Sequence, residues 1–377
     1  MRDERPLTVL HLAANRWWTG SADPVIHAVR GLGARGHRVF LGLIPGARFE
    51  DKAREAGIAP VEGLCLEARI DPRGVIRDVI RLRWLVRAER VDVVHCHHSH
   101  DHWLGAICRG RAALVRTFHN ARAVHGGSPA TALYRRTDAV LAVSATVEAR
   151  CRETGIAERA IHRIDGVVDA ARFAAPNGEA SRRVRTELGL DPGPVIGSVA
   201  RLAAHRGHEL LIRGFARVLT ERPGARLVLI GKGERREAIQ AFVRDLGLDE
   251  QVILAGYRDG DLPAVLRALD VFALMGAGSD ESCRAALEAM SAARPVIARD
   301  VGALGEVVAH GETGLVIEGD QPEAVAAALG ALIRDPERAR TMGQAGQRRA
   351  EALYSIERHA ERMECLYRHV LDRRERR

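Results

Sequence analysis

The chain has 377 residues, 46% hydrophobic and 28% charged, enough for two sizeable cores and too apolar for a disordered chain. No apolar run reaches the roughly 18 residues of a membrane span, and MRDERPLTVLHLAANRWW lacks a signal-peptide core, so a cytoplasmic protein is expected. The net charge of +8 sits wholly in residues 1–176, with 27 basic and 19 acidic side chains against 30 and 30 in residues 177–377.

Leu7–Ala13 reads as a buried strand, Asp23–Arg35 as a helix and Arg38–Leu43 as a second strand. A helix over Arg73–Arg90 leads into the strand Val91–Cys96; Asp101–Arg109 is helical, and Ala113–Phe118 and Ala139–Val143 are strands. Short apolar strands alternating with helices predict a parallel sheet covered on both faces. The pattern weakens across Ala170–Pro194, punctuated by Pro176, Asn177, Gly178, Pro192, Gly193 and Pro194, and the domain joint is placed there. It restarts with strands at Val195–Val199, Arg226–Ile230, Val252–Ala255, Val271–Leu274, Pro295–Ala298 and Gly314–Val316, and closes on an amphipathic helix, Ile356–Val370. Two doubly wound α/β domains follow, with ligands expected outside the carboxyl ends of the strands. Six scattered cysteines, none in a CxxC pair, suggest free thiols in a reducing compartment.

Ala273–Ala298 carries the densest chemistry: a strand end, a loop with Asp280, a helix holding Glu288, and the next strand. Glu281, Ser282, Cys283 and Arg284 fall at the helix start, where free N–H groups suit an anion. Glu288, about two turns deeper, can reach a hydroxyl; the alternative is a capped helix with solvated acids. After Val195–Val199, Arg201 and Arg206 straddle a strand-to-helix turn and could grip a diphosphate by paired hydrogen bonds, or be two solvated arginines. Asp259-Gly260-Asp261 matches D-x-D, but Pro263 makes Asp261 read as a helix N-cap.

In the first half, Gly20 and Ser21 can present N–H groups at the next helix, and Trp17 and Trp18 either stack on a sugar acceptor or pack under their loop. VDVVHCHHSHDH holds His95, His97, His98, His100 and His102, with three readings open: a metal site, an acceptor-side polar rim, or local hydrogen bonding; nothing in the spacing makes them converge. The helix Arg73–Arg90 carries Arg73, Arg77, Arg81, Arg83, Arg87 and Arg90 around an apolar face with Ile76, Ile80 and Trp84. It either rests on anionic lipid or packs on the sheet with a solvated basic face. Nucleic acid is disfavoured, because the few aromatics form no stacking pattern.

VARLAAHRGHELLIRGFA, LVLIGKGERREAIQ, ALDVFAL with GSDESCRAALEAM, and RPVIARDVGALGEVVAHGETGLVI occur in the order and spacing of known motifs. On these the chain resembles a family 4 glycosyltransferase of the GT-B fold, a retaining nucleotide-sugar enzyme. The resemblance implies two Rossmann-like domains facing a cleft: an acceptor-side domain over 1–172, a donor domain over 173–355, and a terminal helix over 356–377 packing back on the first. It implies that Arg201 binds the donor diphosphate, with Arg206 where the family usually has lysine, and that Glu288 binds the donor ribose. Tyr257 and Arg258 fall where the base binds, and Gly20, Ser21, Ser282, Cys283 and Arg284 near the diphosphate. Asp280 is in register with the glutamate that touches the donor sugar, and Glu281 beside it is the other candidate. Ser282-Cys283-Arg284 replaces a G-F-G-type turn, and Gly20 stands alone where a Gly-Gly loop is common. His119, closing the strand of LVRTFHN, matches the family's cleft histidine, which contacts the donor sugar or the reacting centre. Trp17, Trp18, His97 and His98 fall on the acceptor side.

The implied reaction is transfer of a sugar, with retention, from a nucleotide diphosphate sugar to a saccharide or lipid-linked hydroxyl. No metal or other cofactor is expected. Bacterial surface polysaccharide, lipopolysaccharide or glycolipid synthesis is the implied setting, with peripheral contact at the inner face of the membrane. The alternatives are a non-catalytic nucleotide-sugar-binding protein and a phosphorylase or epimerase of the same fold.

Overall fold

A computed structural model describes residues 5–67, 71–175, 178–190, 192–258, 260–278, 281 and 283–376. The chain divides into two compact units, one of 1–167, 279–282 and 356–377, the other of 168–278 and 283–355.

The first unit runs β1 (Thr8–Ala13), α1 (Asp23–Ala34), β2 (Arg38–Leu43), α2 (Arg48–Glu55), α3 (Pro72–Ala88), β3 (Val93–Cys96), α4 (Ser99–Cys108), β4 (Ala113–Phe118), α5 (Ser128–Arg135), β5 (Ala139–Ala142), α6 (Ala145–Glu153) and β6 (Ile161–Arg163). The sheet is parallel in the order β2-β1-β3-β4-β5-β6. Its four inner strands, β1, β3, β4 and β5, are almost wholly buried, as expected for a sheet covered on both faces. The order reverses between β1 and β3, so the loops after those strands flank the crevice where such sheets bind ligands.

The second unit runs α7 (Ala170–Ala174), α8 (Gly178–Glu187), β7 (Val195–Val199), α9 (His208–Val218), β8 (Arg226–Ile230), α10 (Arg236–Asp245), β9 (Val252–Gly256), α11 (Leu262–Ala268), β10 (Val271–Leu274), α12 (Arg284–Ser291), β11 (Val296–Arg299), α13 (Leu304–Val307), β12 (Gly314–Ile317), α14 (Pro322–Arg334) and α15 (Pro336–Tyr354). Its parallel sheet has the order β12-β11-β10-β7-β8-β9, with the reversal between β7 and β10. The last helix, α16 (Ile356–Glu375), belongs to the first unit, where Ala360, Met363, Tyr367 and Val370 bury against the sheet and α1.

Two sequence expectations change. The joint placed across Ala170–Pro194 is instead partly helical: Phe173, Val184 and Leu190 bury in the second core, and the division falls at Val167/Val168. Pro176 and Asn177 lie outside the described residues. On α3, Leu82, Leu85 and Val86 face the core, while Ile76, Ile80 and Trp84 point outward, 59%, 65% and 54% exposed. The helix therefore has two apolar faces, and the outward one is not packed on the sheet. No helix among the described residues is long and apolar enough to cross a membrane.

Candidate functional site

In the second unit the site groups gather after β7 and β10. The chain leaving β7 is clamped by backbone bonds from Ala200 to Ile230 and from Leu202 to the Lys232 carbonyl. This close approach requires glycine: a Cβ on Gly231 would meet the Ala200 carbonyl oxygen at 2.0 Å, and one on Gly233 the Leu202 oxygen at 2.2 Å. The Gly-Lys-Gly loop thus shapes the turn that presents Arg201 and Arg206.

The two arginines differ. Arg201 is exposed, and its Nε and Nη2 donate to Glu234 at 3.2 and 3.0 Å. Arg206 is half-buried; its Nη1 donates to the Ala277 carbonyl at 2.8 Å, and its buried Nε has no hydrogen-bond partner among the described residues. Burial, then the neighbouring Arg201 cation, hold its pKa below the ordinary arginine value. Such a guanidinium has donor capacity free for an anion and is already fixed in place.

α12 begins at Cys283, which is buried and left-handed (φ 55°), and carries Glu288 on its inner face, 5% exposed, with Arg284 Nε 3.5 Å from Oε1. A buried carboxylate one turn beyond a helix start suits a hydroxyl donor. Tyr257 is 52% exposed with the Lys232 ammonium 5.0 Å from its ring centre. Arg258 is bound otherwise: it pairs with Glu187 at 2.6 Å and with Asp261, which hold it protonated well above its ordinary range. Asp261 stands at the N-cap of α11 as expected, but its side chain makes no cap bond and pairs with Arg258 instead. Asp280, Ser282 and Asp259 lie outside the described residues.

The first unit assembles a different chemistry. His11 on β1 stands in register with His95 on β3, and His97 follows two residues on, so alternation puts the three rings together. His95 stacks on His97 at 4.5 Å and lies 4.9 Å from His11. His11 Nδ1 is 3.0 Å from His97 Nε2, and His97 Nδ1 is 3.1 Å from His119 Nε2. His95 bonds the Tyr367 hydroxyl at 2.6 Å and Thr117 Oγ1 at 2.7 Å. All four are buried. Burial, reinforced by neighbouring histidines and other cations, holds them neutral: His11 falls to about 3, and His95, His97 and His119 well below their ordinary value.

Of the five histidines whose spacing gave no reason to converge, His95 and His97 come together, joined by His11 and His119 from other strands. His97 is no acceptor-side rim, because both its ring nitrogens are engaged in the interior. His102 bonds Thr137 at 2.9 Å, outside the cluster, while His98 is half-buried. Ring nitrogens of His11, His95 and His97 lie within 4.8 Å of one another, a donor set that suits a transition metal in type; of the six nitrogens five serve the hydrogen bonds above, and His11 Nε2 has no hydrogen-bond partner among the described residues.

Asp101, fully buried, holds this end of the sheet. Its carboxylate accepts from the N–H groups of Ala14, His97 and His98 at 2.8–3.1 Å, tying the loop after β1 to that after β3. Glu281 is likewise occupied: its Oε1 accepts from Ala121 N–H at 2.9 Å, its Oε2 from the Ser144 hydroxyl at 2.8 Å, and its N–H donates to the His119 carbonyl at 2.9 Å. Ser21 bonds Thr19 at 3.0 Å in the loop with Gly20. Trp18 packs edge-on to Phe49 at 6.0 Å, under the loop, whereas Trp17 is 71% exposed. His11, Asp101 and Glu234 were missed by sequence reasoning; strand alternation could have shown His11, but Asp101 and Glu234 carry no local signal.

Two doubly wound six-stranded parallel sheets with basic and acidic groups at their carboxyl ends define a GT-B glycosyltransferase fold. The family profile described as "Glycosyltransferase Family 4" matches residues 19–172 and that described as "Glycosyl transferases group 1" residues 181–349, and the chain belongs to glycosyltransferase family 4. It is 34% identical over 268 residues to a GDP-mannose-dependent alpha-(1-6)-phosphatidylinositol monomannoside mannosyltransferase of Mycolicibacterium smegmatis, covering 69% of this chain and 66% of that one. It is 32% identical over 286 residues to a D-inositol 3-phosphate glycosyltransferase of Nocardia farcinica, covering 67% and 61%. The chain thus spans just under two thirds of these relatives' lengths. A glycosyltransferase structure from Rickettsia africae superposes with a TM-score of 0.83 at 18% identity, covering 97% and 99%. That likeness carries the fold alone.

Proposed function

We propose that this chain moves a hexosyl group, with retention, from a nucleotide diphosphate sugar to a hydroxyl of an inositol-containing glycolipid. The observation that carries the reading is Arg206, fixed and half-buried with Nε unmatched among the described residues, beside Arg201 at the turn after β7. A diphosphate supplies the acceptor that Arg206 Nε lacks and is also the leaving group whose charge the pair would stabilise. Glu288 binds the ribose. With Glu281 committed to Ala121 and Ser144, Asp280 is the acid that meets the donor sugar. The names of both relatives combine a glycosyltransferase with inositol, and the one that names a donor, GDP-mannose, supports GDP-mannose as donor.

In the transfer, the acceptor oxygen bonds to the anomeric carbon on the face from which the phosphate oxygen departs, and that phosphate takes the hydroxyl proton. No covalent intermediate on a carboxylate is invoked. The protein supplies position and charge stabilisation and needs no metal. The outward face of α3 is the lipid contact: Ile76, Ile80 and Trp84 between Arg73, Arg77 and Arg81 match an anionic membrane surface.

The test is incubation of the purified chain with GDP-mannose, UDP-glucose or ADP-glucose and phosphatidylinositol, following sugar on lipid and its anomeric configuration. Mannolipid with the α-configuration of the donor is expected. Tight GDP binding without transfer or hydrolysis would replace this reading with a sensor, and conversion of the nucleotide sugar without acceptor with an epimerase.

A further inference from the structure

We propose that His208 is a positioning residue for the donor diphosphate: its ring holds the backbone of Arg201 and so aims the Arg201 side chain. The proposal rests on the sugar-transfer reading, which supplies the diphosphate. His208 opens α9 directly after the turn that carries Arg201 and Arg206, and its side chain reaches back to the start of that turn. The ring is buried, with Nε2 3.0 Å from the Arg201 carbonyl oxygen.

The partner decides the tautomer. A carbonyl oxygen only accepts, so Nε2 carries the proton. Nδ1 is then the bare nitrogen of a neutral ring, in keeping with its having no hydrogen-bond partner among the described residues. The opposite tautomer would set a lone pair against the carbonyl and leave a buried N–H orphaned as well. Burial lowers the pKa of His208 against the opposing pull of the Arg201 carbonyl, and the Arg206 cation adds to burial, so the ring stays neutral.

The Arg201 carbonyl accepts a second bond, from the Ala203 N–H at 2.9 Å. The peptide after Arg201 is thus held both by the chain just ahead and by the first residue of α9. Arg206 is secured by other means. Its Nη1 donates to the Ala277 carbonyl, and the backbone beside it packs so closely on the chain after β10 that a Cβ on Gly207 would meet Met275 Cβ at 2.6 Å, and one on Gly276 the His205 carbonyl oxygen at 2.6 Å. Of the two arginines, the exposed Arg201 is therefore the one whose aim depends on the imidazole. Loss of that aim weakens a phosphate contact even though every contacting group is still present.

The test is titration calorimetry of the full chain with GDP, alongside thermal melts, for His208→Leu and His208→Gln, each alone and combined with Arg201→Ala. Leucine fills the place of the ring without a donor, whereas glutamine returns an N–H to the carbonyl. His208→Leu should weaken GDP binding about fivefold, the loss of one hydrogen bond's worth of order, and no more than Arg201→Ala does. His208→Gln should recover most of that loss. In the Arg201→Ala background, His208→Leu should weaken GDP binding by less than about 1.5-fold, because the side chain it aims is gone. A merely structural role would weaken GDP binding equally in both backgrounds; that result, or unchanged GDP affinity in His208→Leu, would overturn the proposal. If His208→Leu does not fold, His208→Asn, polar but too short to reach the carbonyl, takes its place with the same expectations. A wild-type chain that binds none of GDP, UDP and ADP would sink the diphosphate reading and the positioning role with it. Normal wild-type binding with an indifferent His208 variant sinks the positioning role alone.

Discussion

The two units solve the problem of a polar site at the end of an apolar sheet in opposite ways. The first buries neutral histidines and satisfies them mainly with one another; the second relies on charged groups, with Arg201 exposed and balanced by Glu234, Arg206 half-buried and Glu288 buried. A buried neutral network is rigid but vulnerable to protonation, because imidazolium in the interior loses its hydration. Charged groups near solvent tolerate pH but must exchange partners when a ligand arrives. Acidity should therefore injure the first unit and leave the second, while charge deletion should silence the second without unfolding it.

Acid unfolding is the largest expected effect. His11, His95, His97 and His119 titrate in the fold far below 6.5, whereas the unfolded chain binds those protons near 6.5. The unfolded state then holds more protons, so stability falls as pH drops below 6.5, by about 1.4 kcal/mol per unit for each histidine. By pH 5 the four together lose on the order of 5–10 kcal/mol, comparable with the whole stability of a domain. All four tryptophans (17, 18, 84 and 103) lie in the first unit. Tryptophan fluorescence should report loss of structure between pH 6 and 4 while much of the helical circular dichroism persists. Coincident transitions at the same pH would contradict the contrast.

The contrast also explains what was legible from residues alone. Strand alternation and βα spacing placed Thr8–Ala13, Arg38–Leu43, Ala113–Phe118 and Val195–Val199 closely, because buried parallel strands are short apolar runs. The charged half of the site was visible for the same local reason: Arg201, Arg206 and Glu288 follow strands or open helices in recognisable order. The histidine half was not. Its coupling depends on the register of β1 beside β3 and on a loop reaching Glu281 back to Ala121 and Ser144, both set by tertiary contact. β6 escaped notice because three residues, Ile161–Arg163, show no period, and α3 hid a second apolar face because a helical stripe does not say which side is inward.

Within the second unit, the arginines offer the next-largest effect. Arg206 is already fixed by Ala277, whereas Arg201 is exposed and has Nε and Nη2 engaged by Glu234. Arg206→Ala should lower kcat/KM for the donor by about 100-fold or more, the cost of losing a preorganised charge stabiliser, and Arg201→Ala by less. Glu234→Gln releases Arg201 from an exposed pair worth roughly 0–1 kcal/mol, so donor affinity should rise no more than about fivefold. Titration calorimetry with GDP, alongside thermal melts showing an intact fold, checks the order. Equal losses at the two arginines would mean that preorganisation does not separate them.

The smallest effect concerns the outward face of α3, where the first unit does carry exposed charge. Trp84 stands with Ile76 and Ile80 on one stripe, and the Arg81 guanidinium lies 4.7 Å from its ring centre. An indole kept in water beside cations gains by entering a lipid interface whose headgroups are anionic, through both apolar burial and attraction of the arginines. Burial of such a side chain is worth about 1.5–3 kcal/mol, so Trp84→Ser should weaken binding to phosphatidylcholine–phosphatidylglycerol vesicles by about tenfold. Binding to phosphatidylcholine alone should be weak for both forms, and added salt should weaken the mixed-vesicle binding because the arginine contribution is screened. The melting temperature should hardly change, since the core face of α3 uses Leu82, Leu85 and Val86 instead. Vesicle binding that is unchanged in Trp84→Ser would remove α3 as the lipid contact. A large fall in melting temperature would instead show that the outward stripe packs within the fold.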